Sequence, residues 1–309
     1  MKNKIILFSI ISFAFHSYAQ ELYPNSEPAS IIPKHALGVR LMNEAYVSSN
    51  NFKSWHGAMI MFGVSPKWML NAMVTASNHH YKMLPENYIQ KDANEMQYIK
   101  QDLSQSYSYL FESVNFGFRY RFLNRDGDHK HLRMALYSNG VYSIRPHDEA
   151  EITLMGNNKA VGGGLITTIL LNKLAISVSG GIIKPFSHKE NSSRTIFNYG
   201  NAYNYNLSFG YLVFPVKYKN FKQTNLNLYA EFMGKSYSAI DITKAGQVVS
   251  TGNEKAYKDG NFLELRPALQ FIIKSNLRID CSTAIPIVNR SYIRNYPVYL
   301  LNIQYYFFL

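Results

Sequence analysis

The sequence predicts an all-β fold: a transmembrane antiparallel up-and-down β-barrel of about 12 strands, with short periplasmic turns and longer extracellular loops. Three observations predict it. Apolar and polar residues alternate with period two in segment after segment from about residue 36 to the C-terminus, the pattern of strands with two unlike faces. Every second connection between those segments is short, as on one side of an outer-membrane barrel. Although 47% of the residues are hydrophobic, no run of about twenty apolar residues follows residue 20, which excludes helical spans and leaves half-apolar strands open.

Residues 1–19 read as a signal peptide, with Lys2 and Lys4 at the positive end, Ile5 to Phe15 as the apolar stretch and Ser17-Tyr18-Ala19 before the cut. Residues 20–35 are expected as a periplasmic N-terminal segment and 36–309 as a single barrel domain. The strands are expected at about 36–46, 55–65, 68–78, 106–122, 130–143, 158–170, 173–187, 195–214, 224–236, 261–273, 277–285 and 296–309. Val114, Phe116, Phe118, Tyr120 and Phe122 alternate with Asn115, Gly117, Arg119 and Arg121. Leu226, Leu228, Ala230 and Phe232 alternate with Asn225, Asn227, Tyr229 and Glu231. In the last segment Tyr299, Leu301, Ile303, Tyr305, Phe307 and Leu309 should face lipid, with Asn302, Gln304 and Tyr306 inward and the first strand as partner. The short connections are Pro66-Lys67, Leu123 to His129, Leu171-Asn172, Pro215 to Gln223 and Lys274 to Asn276, and the long ones include His79 to Gln105 and Tyr237 to Gly260. An even number of strands puts both termini on the periplasmic side. Pro267, on an apolar face, removes a ladder donor and predicts either a bulge there or a different register for that strand.

Composition narrows the function. A single cysteine, Cys281, excludes an intrachain disulfide and any cysteine-rich metal site. Tyr at 24 and Phe at 19 against two Trp suit long strands and interfacial rings. The formal charge of +12 falls to +10 once Lys2 and Lys4 are removed, and in an exported chain it points to a lumen or to anionic lipid headgroups, with no nucleic acid as partner. No phosphate loop, haem motif or zinc-helix motif appears, so no cofactor is expected.

Parity assigns the lumen Arg40, Glu44, Arg119, Arg121, Arg133, Glu231, Glu264, Arg266, Arg278 and Asp280, with Asn204, Asn206, Asn225 and Asn227. In a water-filled bore these groups would favour anions slightly, whereas interlocked they would brace the wall or plug it. Met42, Met59, Met61, Met69 and Met73 also point inward, followed by His79, His80 and Met83. Thioethers and imidazoles suit a soft metal ion such as copper, while methionine equally fills irregular packing gaps. A surface hydrolase would need a serine beside a histidine; the pairs weighed are His131 with Ser138 and His188 with Ser187 and Ser192. Glu112 falls on the lipid-facing parity, above the apolar band that begins at Val114.

The C-terminal Tyr305-Tyr306-Phe307-Phe308-Leu309, with the signal peptide and the turn rhythm, resembles bacterial outer-membrane β-barrels, which often end in Phe or Trp where this chain has Leu309. The hairpin Phe62-Gly63-Val64-Ser65-Pro66-Lys67-Trp68-Met69-Leu70 more narrowly resembles the phenol-degradation-pathway outer-membrane family. That resemblance implies passage of small, often apolar compounds. The expectation is a monomeric outer-membrane channel or transporter passing small solutes by passive diffusion, without covalent chemistry. Outer-membrane lipid, lipopolysaccharide and the assembly machinery are its expected partners. The alternatives are a copper conduit, a surface lipid hydrolase, or a plugged barrel used for docking.

Overall fold

The computed structural model describes residues 23–48, 51–78, 108–128, 130–143, 159–190, 194–217, 223–250, 258–290 and 296–308. In chain order its strands are β1 (Ala36–Ser48), β2 (Asn51–Gly63), β3 (Trp68–Ser77), β4 (Leu110–Gly127), β5 (Lys130–Ser143), β6 (Ala160–Leu171), β7 (Leu174–Pro185), β8 (His188–Glu190), β9 (Thr195–Asn198), β10 (Ala202–Phe214), β11 (Asn225–Tyr237), β12 (Asp241–Lys244), β13 (Gln247–Val248), β14 (Gly260–Ile273), β15 (Leu277–Asn289) and β16 (Val298–Phe308). Twelve of them close into one antiparallel barrel, all but β8, β9, β12 and β13. Closure is made by β1 against β16, in register from Ala36↔Phe308 to Ala45↔Tyr299. This one ladder pairs the last two free edges and leaves the barrel with none.

The alternation in each strand sorts side chains by face. On β16, Tyr299, Leu301, Ile303, Tyr305 and Phe307 are exposed outward, whereas Asn302, Gln304 and Tyr306 are buried. Around the barrel Leu41, Ile60, Leu70, Phe116, Leu136, Val178, Leu228 and Leu269 continue the outward apolar surface. Such a continuous apolar belt is stable only against lipid. Chain segments 64–67, 128–129, 172–173, 215–224 and 274–276 link successive barrel strands at one end, called here the short-turn end. Asn172, Lys274 and Ser275 take positive φ there, as tight hairpins require. Trp68 stacks on Tyr120 at 4.6 Å beside the first of these turns, at the level where aromatic rings meet lipid headgroups.

The wall uses its tyrosines to cover glycines. Gly38↔Tyr306, Tyr137↔Gly164, Gly210↔Tyr229, Tyr205↔Gly234 and Tyr237↔Gly260 are all cross-strand partners. At Gly164 a Cβ would overlap Gly180 O and press on the Tyr137 hydroxyl, and at Gly181 it would overlap that hydroxyl. The tyrosine therefore lies along the wall over a patch that only glycine leaves open. Its hydroxyl accepts from Asn204 Nδ2 at 3.0 Å, tying β5 to β10.

Several expectations are corrected, each by a local irregularity that period-two counting cannot register. The expected strand 195–214 divides at residues 199–201. Its first part, β9, leaves the barrel and joins β8, β12 and β13 in a four-stranded sheet. That sheet packs Phe197, Ile240 and Ile242 together, so part of the expected polar loop from Tyr237 to Gly260 is folded. The expected turn from Leu123 to His129 shrinks to 128–129, because a bulge at Phe122 carries β4 on to Gly127. A second bulge, at Glu112 between Phe111 and Ser113, turns that carboxylate inward, where Ser77 Oγ donates to it, instead of leaving it on the lipid face. Pro267 faces outward and pairs with Ala230, and the bulge lies elsewhere, at Ile287 between Pro286 and Val288.

Candidate functional site

Residues 23–33 of the expected periplasmic N-terminal segment lie inside the barrel. Three prolines, Pro24, Pro28 and Pro33, keep this stretch from helix or ladder. An irregular backbone without strand neighbours must find other partners for its polar groups. The wall supplies them. Amide N–H groups of Asn25 and Ser26 each donate to Glu231 at 2.9 Å, and that of Ala29 donates to Thr168 Oγ1 at 2.9 Å. The carbonyl of Pro24 accepts from Arg40 and from Asn302 at 2.9 Å, that of Tyr23 from Arg278 at 3.3 Å, and that of Ser30 from Arg119 at 3.2 Å.

Side chains complete the clasp. Glu27 bridges two strands, 3.1 Å from Arg40 on β1 and 2.8 Å from Arg119 on β4. Burial pushes the Glu27 carboxyl up, but Arg119 and Arg40 outweigh it and hold the group below the ordinary carboxylate range. Asn25 Nδ2 and Ser26 Oγ donate to Glu231 at 2.6 and 2.7 Å, and Ser26 Oγ meets Ser208 Oγ at 2.8 Å. Arg133 donates to Ser30 Oγ at 2.8 Å while paired with Asp126 at 3.0 Å. Tyr23 packs edge-on against Tyr229, ring centroids 5.6 Å apart. Between the segment and the wall is a cavity of about 20 Å³, lined by Glu27, Arg40, Arg119, Met61 and Tyr306 among others, enough for about one water.

The structure places the sequence-assigned lumen residues at three levels. Arg40, Arg119, Arg133, Glu231 and Arg278 hold the inner segment directly, and Asp280 anchors Arg278 at 2.8 Å. Glu264, Arg266 and Glu44 form a separate group: Arg266 is 2.9 Å from Glu264 and 3.9 Å from Glu44 on the far side of two intervening strands. Tyr296 also donates to Glu264, at 2.6 Å. Arg121 sits at the short-turn end and donates to the Pro66 carbonyl at 2.8 Å. Sequence reading did not pick out Asn25, Ser26 or Glu27, since an aperiodic stretch before the first strand carries no sign that it folds inward.

Met59, Met61, Met69 and Met73 are buried with Ile31, Ile32, Trp55 and Tyr306, and Met42 packs against them. These methionines contact the apolar end of the inner segment. His79, His80 and Met83 lie outside the described residues. Among the described residues no group of three or more His, Cys, Asp or Glu is placed to hold a metal ion. His131 and Ser138 are not together: His131 meets Asp126 at 2.8 Å, and Ser138 donates to the Gly162 carbonyl. Ser187 donates to Asn198, and Ser192 is outside the described residues.

No protein-family model matches the chain. No curated protein matches it either. Among solved structures it is similar to the COG4313 outer membrane channel from Pseudomonas putida F1, with a TM-score of 0.59 at 11% identity, over 93% of this chain and 100% of that one. The NanC porin gives a TM-score of 0.46 at 10% identity, over 88% of this chain and 99% of that one. At these identities the likeness speaks to fold alone, and the porin's lower score carries no argument. With the closed barrel and its apolar belt, it defines the chain as a twelve-stranded β-barrel of the outer-membrane type.

Proposed function

We propose that this barrel is a gated outer-membrane channel for small solutes, closed at rest by residues 23–33 and opened when that segment withdraws through the short-turn end. One observation carries the reading. The segment is held chiefly by side-chain hydrogen bonds and by the Glu27 ion pairs to wall residues, and not by any strand pairing of its own. Such contacts can be exchanged for water, and the wall behind them is polar and suited to a hydrated bore. Short turns and both termini would face the periplasm, and the barrel would act as a monomer, selecting solutes by bore and lumenal charge. The fold likeness to a protein named as an outer membrane channel agrees with this reading without adding a solute.

A second reading is a permanently sealed barrel used for docking. It is favoured by the spread of the contacts, which reach β1, β4, β5, β6, β10, β11, β15 and β16. Planar-bilayer recording separates the two. In the full chain a gate should show rare, small openings that become a steady conductance when residues 23–33 are removed, whereas a full chain that stays silent while the truncated barrel conducts would favour the sealed form.

A further inference from the structure

On the outer face of the wall, away from the inner segment, three polar side chains form a relay. Ser54 and His56 lie two residues apart on β2 and share its outward face, and Asn43 on β1 is the cross-strand partner of His56. His56 Nε2 is 3.3 Å from Ser54 Oγ, and His56 Nδ1 is 2.9 Å from the Asn43 side-chain amide. The Tyr109 hydroxyl also bonds Ser54 Oγ, and its ring lies 5.1 Å from the imidazole. Ser54 is fully buried beneath these groups, while Tyr109 is half exposed. The relay stands near the β1–β2 connection, at the end opposite the short turns. Outward-facing Val47 and Phe52 flank it on one side, and Leu41 and Ile60 on the other.

We propose that Ser54, His56 and Asn43 form a lipid-facing hydrolytic triad that cleaves acyl esters of membrane lipids. The order of groups is what such chemistry needs: a hydroxyl nucleophile, an imidazole base in contact with it, and a third group that fixes the imidazole. The Asn43 atom at 2.9 Å from Nδ1 is its amide Nδ2; turned over about Cβ–Cγ, the same amide accepts from Nδ1–H through its oxygen and holds the tautomer whose Nε2 takes the serine proton. Ser54 Oγ attacks the ester carbonyl carbon as its proton passes to Nε2. The tetrahedral intermediate then expels the alcohol oxygen, which takes that proton from His56, leaving an acyl-Ser54 ester and a deacylated lipid. Water, deprotonated by His56, attacks the acyl carbon, and the fatty acid departs as Ser54 regains its proton. Tyr109 covers the nucleophile at rest, and its half-exposed ring must tilt outward to admit substrate while its hydroxyl stays within reach of the reacting carbonyl. Its hydroxyl, already beside Ser54 Oγ, is the near donor for the oxyanion that develops on the carbonyl. The apolar wall on either side would hold the acyl chain with its ester at the level of the relay.

The acyl ester could belong to a glycerophospholipid or to lipopolysaccharide, and two arms of one experiment distinguish them. The full chain, folded in detergent micelles and checked by heat-dependent electrophoretic mobility, is given phosphatidylethanolamine vesicles in one arm and lipopolysaccharide in the other. It is labelled in parallel with a fluorophosphonate. Fatty acid should be released in one arm or both, and the label should map to Ser54. Ser54→Ala and His56→Ala should lower release by on the order of 10³-fold or more and abolish labelling in folded barrels. Asn43 is a positioning residue, so Asn43→Ala should lower kcat with little change in KM. Asn43→Asp should restore turnover, because a carboxylate oxygen accepts from Nδ1–H in place of the amide. Absence of both release and labelling in the folded wild-type chain would overturn the assignment, as would undiminished hydrolysis by Ser54→Ala. Neither result depends on the inner segment or on conductance.

Discussion

The Glu27 carboxylate and the Arg119 guanidinium meet at 2.8 Å inside the barrel, across 92 residues of sequence. The same carboxylate reaches Arg40 at 3.1 Å, so one acidic side chain ties the inner segment to two strands. Replacing it strands two guanidiniums in a poorly solvated lumen, a loss of about 3 kcal/mol or more. Glu27→Ala should therefore raise channel opening by roughly 10²-fold, since each 1.4 kcal/mol is about tenfold in a population. Single-channel recording in planar bilayers reads this directly, and an unchanged open probability would place the holding energy elsewhere.

Glu231 is the second anchor, accepting four hydrogen bonds from Asn25 and Ser26. Glu231→Gln keeps the size of the side chain but trades one accepting oxygen for an amide donor, leaving some of those N–H and O–H groups without a partner. Added to Glu27→Ala, it should expose residues 23–33 to protease in the folded barrel. Each single change should do so less, because both anchors hold one segment and their effects combine.

The depressed Glu27 pKa fixes the sign of a pH effect. A carboxyl whose pKa is lowered in the closed state contributes its full holding energy above its ordinary pKa. That energy is lost as pH falls through the lowered value. Closure should thus be flat from neutral pH down to the usual carboxylate range and weaken from there until the lowered value is passed. Open probability against pH in wild type and Glu27→Gln checks this, the variant being insensitive across the same acid range.

At Gly164 a methyl group would overlap the Gly180 carbonyl, which is backbone and cannot give way. At Gly181 it would meet chiefly the Tyr137 hydroxyl, although Gly163 O is also near. Gly164→Ala should destabilise the barrel by about 1–3 kcal/mol, seen as a lower temperature for loss of the compact gel form. Tyr137→Phe should relieve part of the cost of Gly181→Ala and none of the Gly180 clash at Gly164.

Met59 and Met61 pack on the inner segment, and Leu conserves most of their volume. The double change to Leu should cost less than about 1.5 kcal/mol and leave copper uptake and tolerance unaltered. Reduced copper uptake with an intact barrel would instead show that the thioethers serve a metal.

The wall is legible in the sequence because facing is encoded at every second residue: parity alone points Arg40, Arg119, Glu231 and Arg278 inward. Parity fails where one residue breaks the count. The bulge at Glu112 moves a carboxylate from the lipid side to the lumen, and the bulge at Phe122 lengthens β4. Strands as short as β12 and β13 are too brief to show a period. The inner segment was illegible for a different reason. Its fold is set by distant wall groups such as Glu231, 206 residues from Asn25, and nothing in Pro24 to Pro33 announces them. Likewise Ser54 and His56 show their shared face in sequence, but Asn43 joins them only through the β1–β2 register.

If withdrawal of residues 23–33 opens the lumen, a reversible lock on that segment should close it. Ser26 and Ser208 place their Oγ atoms 2.8 Å apart, so cysteines at both positions can form a disulfide between the segment and β10. In a Cys281→Ser background, where no third thiol interferes, the oxidised Ser26→Cys/Ser208→Cys barrel should show no openings in a planar bilayer. Adding reductant to the same membrane should restore them. Openings that persist in the oxidised state would show that the lumen conducts with the segment held in place.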